Sequence, residues 1–265
     1  MFNNRVVLLI LLLSAVTCCI SADEIPYDGD SVIMRYTGNE VVIESFKQNN
    51  NLYIQPVSAT LLSAKEIKES NILNIKDITG LIPNLYMPDY GSKMTSPVFI
   101  RGIGAAKNAP SVGLYVDGVP YFDRSTFDFN INDVDRIEVL RGPQGTLYGR
   151  NTMGGIINVF TKSPFKYKGT NVNASAGNYN NYQGGLSHYG SVDNKIGYSL
   201  AANYLHSGGY FKNTFTGKKA DAMDAVSFRG RLSWRIQPRL TANLVLAYEY
   251  SDQDGYPYRL YDKDN

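Results

Sequence analysis

From about residue 168 onward, apolar and polar side chains alternate with period two. In residues 226–236, Val226, Phe228, Gly230, Leu232, Trp234 and Ile236 share one face, and Ser227, Arg229, Arg231, Ser233 and Arg235 the other. Residues 240–250 repeat the design: Leu240, Ala242, Leu244, Leu246, Tyr248 and Tyr250 alternate with Thr241, Asn243, Val245, Ala247 and Glu249. Ile196, Tyr198, Leu200, Ala202 and Tyr204 alternate with small or polar partners, as do Val172, Ala174 and Ala176, and residues 183–189 show a weaker version. Successive side chains of a strand point to opposite faces, so these stretches predict half-buried β-strands. Strands of soluble sandwiches average about 5–6 residues, whereas about 9–11 residues with an apolar outside and a polar inside fit a membrane barrel. The arginines favour the barrel. Toward a wet lumen Arg229, Arg231 and Arg235 are tolerated; facing the bilayer midplane each costs about 2–4 kcal/mol. A secreted sandwich is the alternative with the same alternation.

The connections alternate too. Residues 191–194 and 237–239 are tight, whereas 207–225 is long and rich in Gly, Lys and Asp. Outer-membrane barrels have short periplasmic turns and longer external loops, so the strand at 168–177 is expected to run outward, with 178–181 and 207–225 outside. About five such strands fit, against a minimum of about eight for a closed barrel, and open edges in a bilayer leave backbone groups unpaired. The chain is therefore expected to be a truncated sequence or part of a larger assembly.

Residues from about 49 to 165 follow a different pattern. Ser63-Ala64-Lys65-Glu66 reads as a capping box opening a short helix. Residues 74–79 suggest a second helix before Gly80 and Pro83, and short strands are expected at 98–101, 112–116, 136–140 and 155–161. The fold class is thus a compact α+β unit followed by antiparallel transmembrane β-barrel strands, the barrel incomplete.

The amino terminus adds a destination. Arg5 precedes an apolar run from Val6 to Val16, then small residues and Asp23-Glu24. That run is short of the roughly 20 residues that span a bilayer and fits a secretory signal cleaved after Ala22. A buried core helix is the competing reading. Cys18 and Cys19 both fall inside this segment, so the mature chain has no disulfide, thiol nucleophile or cysteine metal site. Thr17 is a poor neighbour for lipidation of Cys18. Residues 23–48 are polar apart from one β-prone island, Glu40-Val41-Val42-Ile43-Glu44.

Charge and motifs mostly exclude. A formal net charge of +2 gives no strong single-sign field, which argues against nucleic acid as a partner. Gly102-Ile103-Gly104-Ala105-Ala106-Lys107 lacks the third glycine of the dinucleotide fingerprint, and the stretch 142–150 lacks the Gly-Lys-Ser/Thr of a phosphate loop. These glycines are expected to serve turns. His188 and His206 fall on apolar strand faces, and no nucleophile accompanies them. No catalytic residue, metal site or cofactor is expected.

Three stretches together carry a resemblance. Phe99-Ile100-Arg101-Gly102 comes first, then Val112-Gly113-Leu114-Tyr115-Val116-Asp117-Gly118-Val119. The third is the long run 133–162, which includes Arg136-Ile137-Glu138-Val139-Leu140-Arg141-Gly142-Pro143 and Leu147-Tyr148-Gly149-Arg150. In this order and spacing they resemble the plug domain of TonB-dependent outer-membrane receptors. The resemblance implies a plug inside a barrel of about 22 strands. The chain then divides into a signal peptide (1–22), an extension with a TonB box (23–48), a plug (49–165) and the first part of the barrel (166–265).

Residue roles follow from the same resemblance. Arg101, Glu138, Arg141 and Arg150 would be structural plug residues, paired because buried charge needs partners. Glu40, Val41, Val42, Ile43 and Glu44 look like a TonB box, departing from the family at Ile43 and Glu44, where Val and Thr are common. Such a segment would add a strand to TonB, with ExbB and ExbD behind it; an ordinary edge strand is the alternative. The outward plug apices would carry ligand contacts at Tyr90, Lys93, Lys107, Asn108, Tyr121, Phe122 and Arg124, or these equally pack as turn residues on the barrel.

The implied function is active uptake of a scarce ligand across the cell outer membrane, most readily an iron complex such as a ferric siderophore. Haem, cobalamin and oligosaccharide stay open. The leader of roughly 17 residues is too short for an extra domain, which needs about 50, and this argues against the large glycan importers. A secreted or surface-exposed β-rich binding module without transport, or a nonfunctional truncated receptor remnant, are the alternatives. The barrel reading predicts that the full-length gene product fractionates with membranes and needs detergent. Recovery as a water-soluble protein, or from the cytoplasm, would overturn it.

Overall fold

The computed structural model describes residues 58–88, 97–105, 109–123, 126–127, 133–237 and 240–254, together with the backbone of four short strands at Leu8–Leu11, Thr17–Cys19, Val42–Ile43 and Asn50–Asn51. Its first half is built on a five-stranded sheet in the order Val119–Tyr121, Val112–Val116, Gly155–Thr161, Val134–Arg141, Ser58–Ser63. The pairings are antiparallel except Gly155–Thr161 with Val112–Val116, which is parallel.

One face of this sheet makes the main core. Leu114, Val116, Ile137, Val139, Ile157 and Val159 pack there with Ile67, Ile75, Ile78 and Ile82. Ile67 belongs to the helix Ala64–Glu69, which is started by the capping box: Glu66 N–H donates to Ser63 Oγ (3.3 Å), and Ser63 N–H donates back to Glu66 Oε2 (2.8 Å). That bond from Ser63 holds the Glu66 carboxyl below its ordinary value. The second expected helix forms as a 3-10 turn, Ile75–Gly80. Asp77 Oδ2 caps it by accepting from Leu73 N–H and Asn74 N–H, and Gly80 with the nearby Pro83 leaves no room for a longer α-helix.

Glycine is required where the sheet is tightest. Gly155 has φ +147°, and a Cβ there would lie 2.3 Å from the Leu140 carbonyl oxygen. Asp117 and Gly118 both have positive φ, 50° and 80°, and close a two-residue hairpin between Val116 and Val119. Asp-Gly suits this turn, which needs two left-handed residues in a row.

The second half is a meander of five long antiparallel strands, Gly169–Gly177, Asn181–Val192, Ile196–Ser207, Met223–Gln237 and Leu240–Gln253. They form an open wall. In register, Leu200 faces Gly230 and Phe228 faces Tyr248 on one side, while Ala201 faces Arg229 and Ser199 faces Arg231 on the other. The first side is exposed and apolar: Val172 is 70% exposed, Leu200 60% and Leu246 55%. The second is covered and polar, burying Gln183, Ser187, Ser199, Asn203 and Ser233. Period two in the sequence has become an inside-out wall.

The long connection 208–222 falls at the end expected for it, together with the short turn 178–180. Residues 178–180 and 208–222 share one end, where Gly208 N–H donates to the Tyr179 carbonyl and the Tyr179 and Tyr210 rings lie 4.5 Å apart. At the other end Arg235 N–H donates to the Lys195 carbonyl across the tight turns. The free edge of Leu240–Gln253 is lined by the backbone of Leu8–Leu11 and Thr17–Cys19. An unpaired strand edge is a template for any β-prone run, and the expected signal segment supplies one. Among the described residues no helix is long and apolar enough to cross a membrane.

Replacing Gly155 with Ala forces a methyl against backbone that cannot yield. The Gly155→Ala variant of the complete protein should lose about 1–3 kcal/mol of stability in the first domain, seen as a lower unfolding midpoint. An unchanged midpoint would contradict this account of the turn.

Candidate functional site

Two ends of the five-stranded sheet carry opposite charge. At one end sit Asp117, Asp133 and Asp135, beside the turn at 117–118 and the start of Val134–Arg141. The covered face of the wall meets this end with arginine. Arg229 Nε lies 3.8 Å from Asp133 Oδ2, and Arg231 Nη1 lies 3.5 Å from Asp117 Oδ1. Arg231 also donates to Thr161 Oγ1 (3.2 Å), and Asp117 accepts from the Thr161 backbone N–H (2.9 Å) and hydroxyl (2.7 Å). A hairpin turn, the end of a neighbouring strand and the wall thus form one network.

Burial acts on these groups. Desolvation pushes the Asp133 carboxyl up from its ordinary value, with Arg229 pulling the other way and Asp117 adding to the rise. Asp135 accepts a very short hydrogen bond from the Tyr167 hydroxyl, which pushes that phenol up to about 12. Tyr167 lies in the strap 162–168 joining the two halves. The strap is clamped at Phe165, whose ring carries the Arg235 guanidinium at 4.0 Å and packs on Gly197, where any Cβ would come within 3.0 Å of it.

The opposite end of the sheet holds the residues singled out from sequence. Arg101, itself at φ 52°, donates its backbone N–H to the Asn84 carbonyl (2.8 Å), and its side chain passes Gly142. Arg141 Nη1 donates to the Pro83 carbonyl (3.2 Å). Arg150 lays its guanidinium on the Phe122 ring at 3.9 Å. None of the three forms an ion pair among the described residues. Glu138 is placed differently. Fully buried at mid-strand, it accepts from Arg136 Nε (2.9 Å), and Arg136 stacks on Phe160 at 3.9 Å.

Between Arg150 and the second face of the sheet is a cavity of about 300 Å³, lined by Tyr115, Phe122, Tyr148, Arg150, Asn158 and Phe160 among others. The Tyr115 hydroxyl donates to the Tyr148 carbonyl (2.8 Å), and the two rings meet edge to face at 4.7 Å. Burial raises the Tyr115 phenol, partly offset by the charge of Arg150.

Of the other expected contacts, Tyr121 packs against the main core and Phe122 is exposed. Tyr90, Lys93, Lys107, Asn108 and Arg124 lie outside the described residues, as do Glu40, Val41 and Glu44; Val42–Ile43 appears as backbone paired with Asn50–Asn51. His188 and His206 are on the apolar face, bonded to Thr170 and Tyr198 and to Asp224 respectively. Among the described residues no three His, Cys, Asp or Glu side chains converge. Sequence reasoning did not single out Asp117 and Asp133. The Asp-Gly turn was the one available signal for Asp117, and nothing local marks Asp133.

Comparison with known proteins bears on this arrangement. Residues 51–156 match the TonB-dependent receptor plug domain family. The pesticin receptor of Yersinia pestis is 36% identical over 126 residues, 47% of this chain and 19% of that receptor. The vitamin B12 transporter BtuB of Vibrio vulnificus is 31% identical over 146 residues, 53% of this chain and 23% of the transporter. The crystal structure of the ferric yersiniabactin uptake receptor FyuA from Yersinia pestis superposes with a TM-score of 0.66 at 27% identity, covering 74% of this chain and 32% of that one. The matches thus span about a fifth of the length of the curated relatives and about a third of the solved structure.

The raised carboxyl of Asp133 has a definite sign. The folded state holds this proton more tightly than the unfolded chain, so the group's contribution to stability is fully present below the unfolded pKa and is lost as pH rises through the folded one. Unfolding midpoints measured across this range should fall with rising pH, and Asp133→Asn should flatten the profile. A slope that survives the substitution would assign it elsewhere.

Proposed function

Because residues 51–156 match the TonB-dependent receptor plug domain family, we propose that the chain forms the amino-terminal part of an outer-membrane importer for a scarce ligand, an iron complex such as a ferric siderophore. The observation that carries this reading is the wall: lipid-suited side chains on one face and, on the other, arginines engaged with the domain it encloses. A transported molecule needs a barrel, and a barrel occupied by its own plug needs a device that moves the plug.

On this reading residues 1–22 are the export signal, 23–48 the coupling extension, 49–165 the plug, and the barrel begins at 166. TonB, energised by ExbB and ExbD in the inner membrane, takes hold of Glu40, Val41, Val42, Ile43 and Glu44 by strand addition. Main-chain hydrogen bonds supply the affinity, and β-branched residues favour the extended form. Force must arrive from elsewhere, because the outer membrane holds no ion gradient. The iron complex is supported by the likeness to FyuA, the 27% identical ferric yersiniabactin uptake receptor. A corrinoid is the second reading, supported by the vitamin B12 transporter among the relatives.

The coupling segment supplies the test. Val42→Pro removes a backbone N–H and blocks strand pairing. In the complete receptor it should abolish energy-dependent uptake of the ferric complex while leaving ligand binding at the cell surface intact. Normal uptake by this variant would show that TonB engages some other segment.

A further inference from the structure

The two ends of the wall differ in charge. Around the long connection, Lys212, Lys218 and Lys219 are balanced by Asp221, Asp224, Asp252 and Asp254. At the other end, the strap 162–168 and the connections 193–195 and 235–239 hold six basic residues against one acid, Asp193. Five of the six, Lys162, Lys166, Lys168, Lys195 and Arg235, lie in described segments. The plug carboxylates at this end are engaged elsewhere: Asp117 with Arg231, Asp133 with Arg229, and Asp135 with Arg136 and Tyr167.

Local structure gathers the basic residues. Arg235 donates its backbone N–H to the Lys195 carbonyl (2.8 Å) and its Nη1 to the Asn194 carbonyl (3.4 Å), tying the strand Met223–Gln237 to the turn 193–195. The same guanidinium lies on Phe165 at 4.0 Å, next in sequence to Lys166. Lys195 N–H donates to the Val192 carbonyl (3.0 Å), which keeps this lysine level with the ends of the two strands. There Val192, Ile196 and Trp234 form one cross-strand row on the outward, apolar face. Tryptophan collects where hydrocarbon gives way to headgroups, so this row marks the border of the apolar band, and the basic turns lie just past it. Strands added before Gly169–Gly177 or after Leu240–Gln253 extend the wall sideways and leave this part of its outward face uncovered.

Clustered cations beside a membrane border attract anionic headgroups. A soluble anion would meet the charges but make no use of the apolar row below them. We infer that Lys166, Lys168, Lys195 and Arg235 form a docking rim for anionic phospholipid of the periplasmic leaflet. The phosphate meets the cations, and the acyl chains lie along Ile196 and Trp234. This rests on the outer-membrane reading and adds a lipid partner to it, at the end where plug and wall are joined.

The test uses the complete receptor in detergent, with phosphatidylglycerol and phosphatidylethanolamine of equal chain length as probes and native mass spectrometry to count bound lipid. Phosphatidylglycerol should be bound at least about tenfold more tightly, since each cation near an anionic surface contributes about fivefold. Replacing Lys166, Lys168 and Lys195 together with Gln should remove that preference, and replacing them with Arg should keep it. The matching Gln replacement of Lys212, Lys218 and Lys219 at the opposite end should leave it unchanged. The rim is overturned if the wild type shows no preference, if the preference survives the first Gln variant, or if the second Gln variant loses it equally. Glycerol 3-phosphate bound as tightly as phosphatidylglycerol would assign the cations to free anions and overturn it too. A receptor that needs detergent and loses uptake through Val42→Pro, yet shows no lipid preference, keeps the import reading and loses only the rim.

Discussion

Arginine on the inner face of a lipid-exposed wall must be solvated by something, and here that something is the plug. Arg229 and Arg231 stand on one strand, Met223–Gln237, whose opposite face carries Phe228, Gly230 and Leu232. Neither can swing outward without placing charge in the hydrocarbon region. Inward, they reach Asp133 and Asp117. Each partner lowers the cost of burying the other, so neither domain is electrostatically complete alone. Truncating one side would strand a charge, at about 3–5 kcal/mol where burial is full.

This constraint organises the rest. The carboxylate end of the sheet is fastened three ways: by the two arginines, by the strap whose Phe165 is clamped between Gly197 and Arg235, and by Tyr167 on Asp135. The first strand of the sheet, Ser58–Ser63, is an edge strand, and among the described residues its one strand partner is Val134–Arg141. Under the proposed coupling, a pull delivered at residues 40–44 reaches this edge strand first, whereas the strap end is braced against the barrel. Rearrangement of the plug is then easier at its beginning than at its end.

Among the described residues the arginine end forms no ion pair with the wall. One charged end of the sheet is bonded to the wall, and at the other Arg150 rests on Phe122 beside a cavity with aromatic lining. Asp117 shows how economically the anchoring is built. One residue supplies the left-handed turn geometry, two acceptor oxygens for Thr161 and the ion pair to Arg231.

What the sequence determined alone is whatever depends on neighbours along the chain. Period two fixed which side chains of 226–236 share a face, because a strand alternates regardless of what surrounds it. Ser63 and Glu66 marked a helix start through a bond spanning three residues, and the short and long connections were countable. Tertiary structure decided the pairings between distant segments. Both arginine positions were legible as lumen-facing, but not that Asp133 and Asp117 would receive them. Phe122 and Arg150 were read apart, one as ligand contact and one as structural, until the fold stacked them. The 74–79 stretch carried helix-compatible residues, yet Pro83 and the crowding around Ile75 and Ile78 held it to a 3-10 turn. Local conformation follows from covalent geometry and near contacts; the partner of a buried charge is chosen by whichever distant group the folded chain brings within reach.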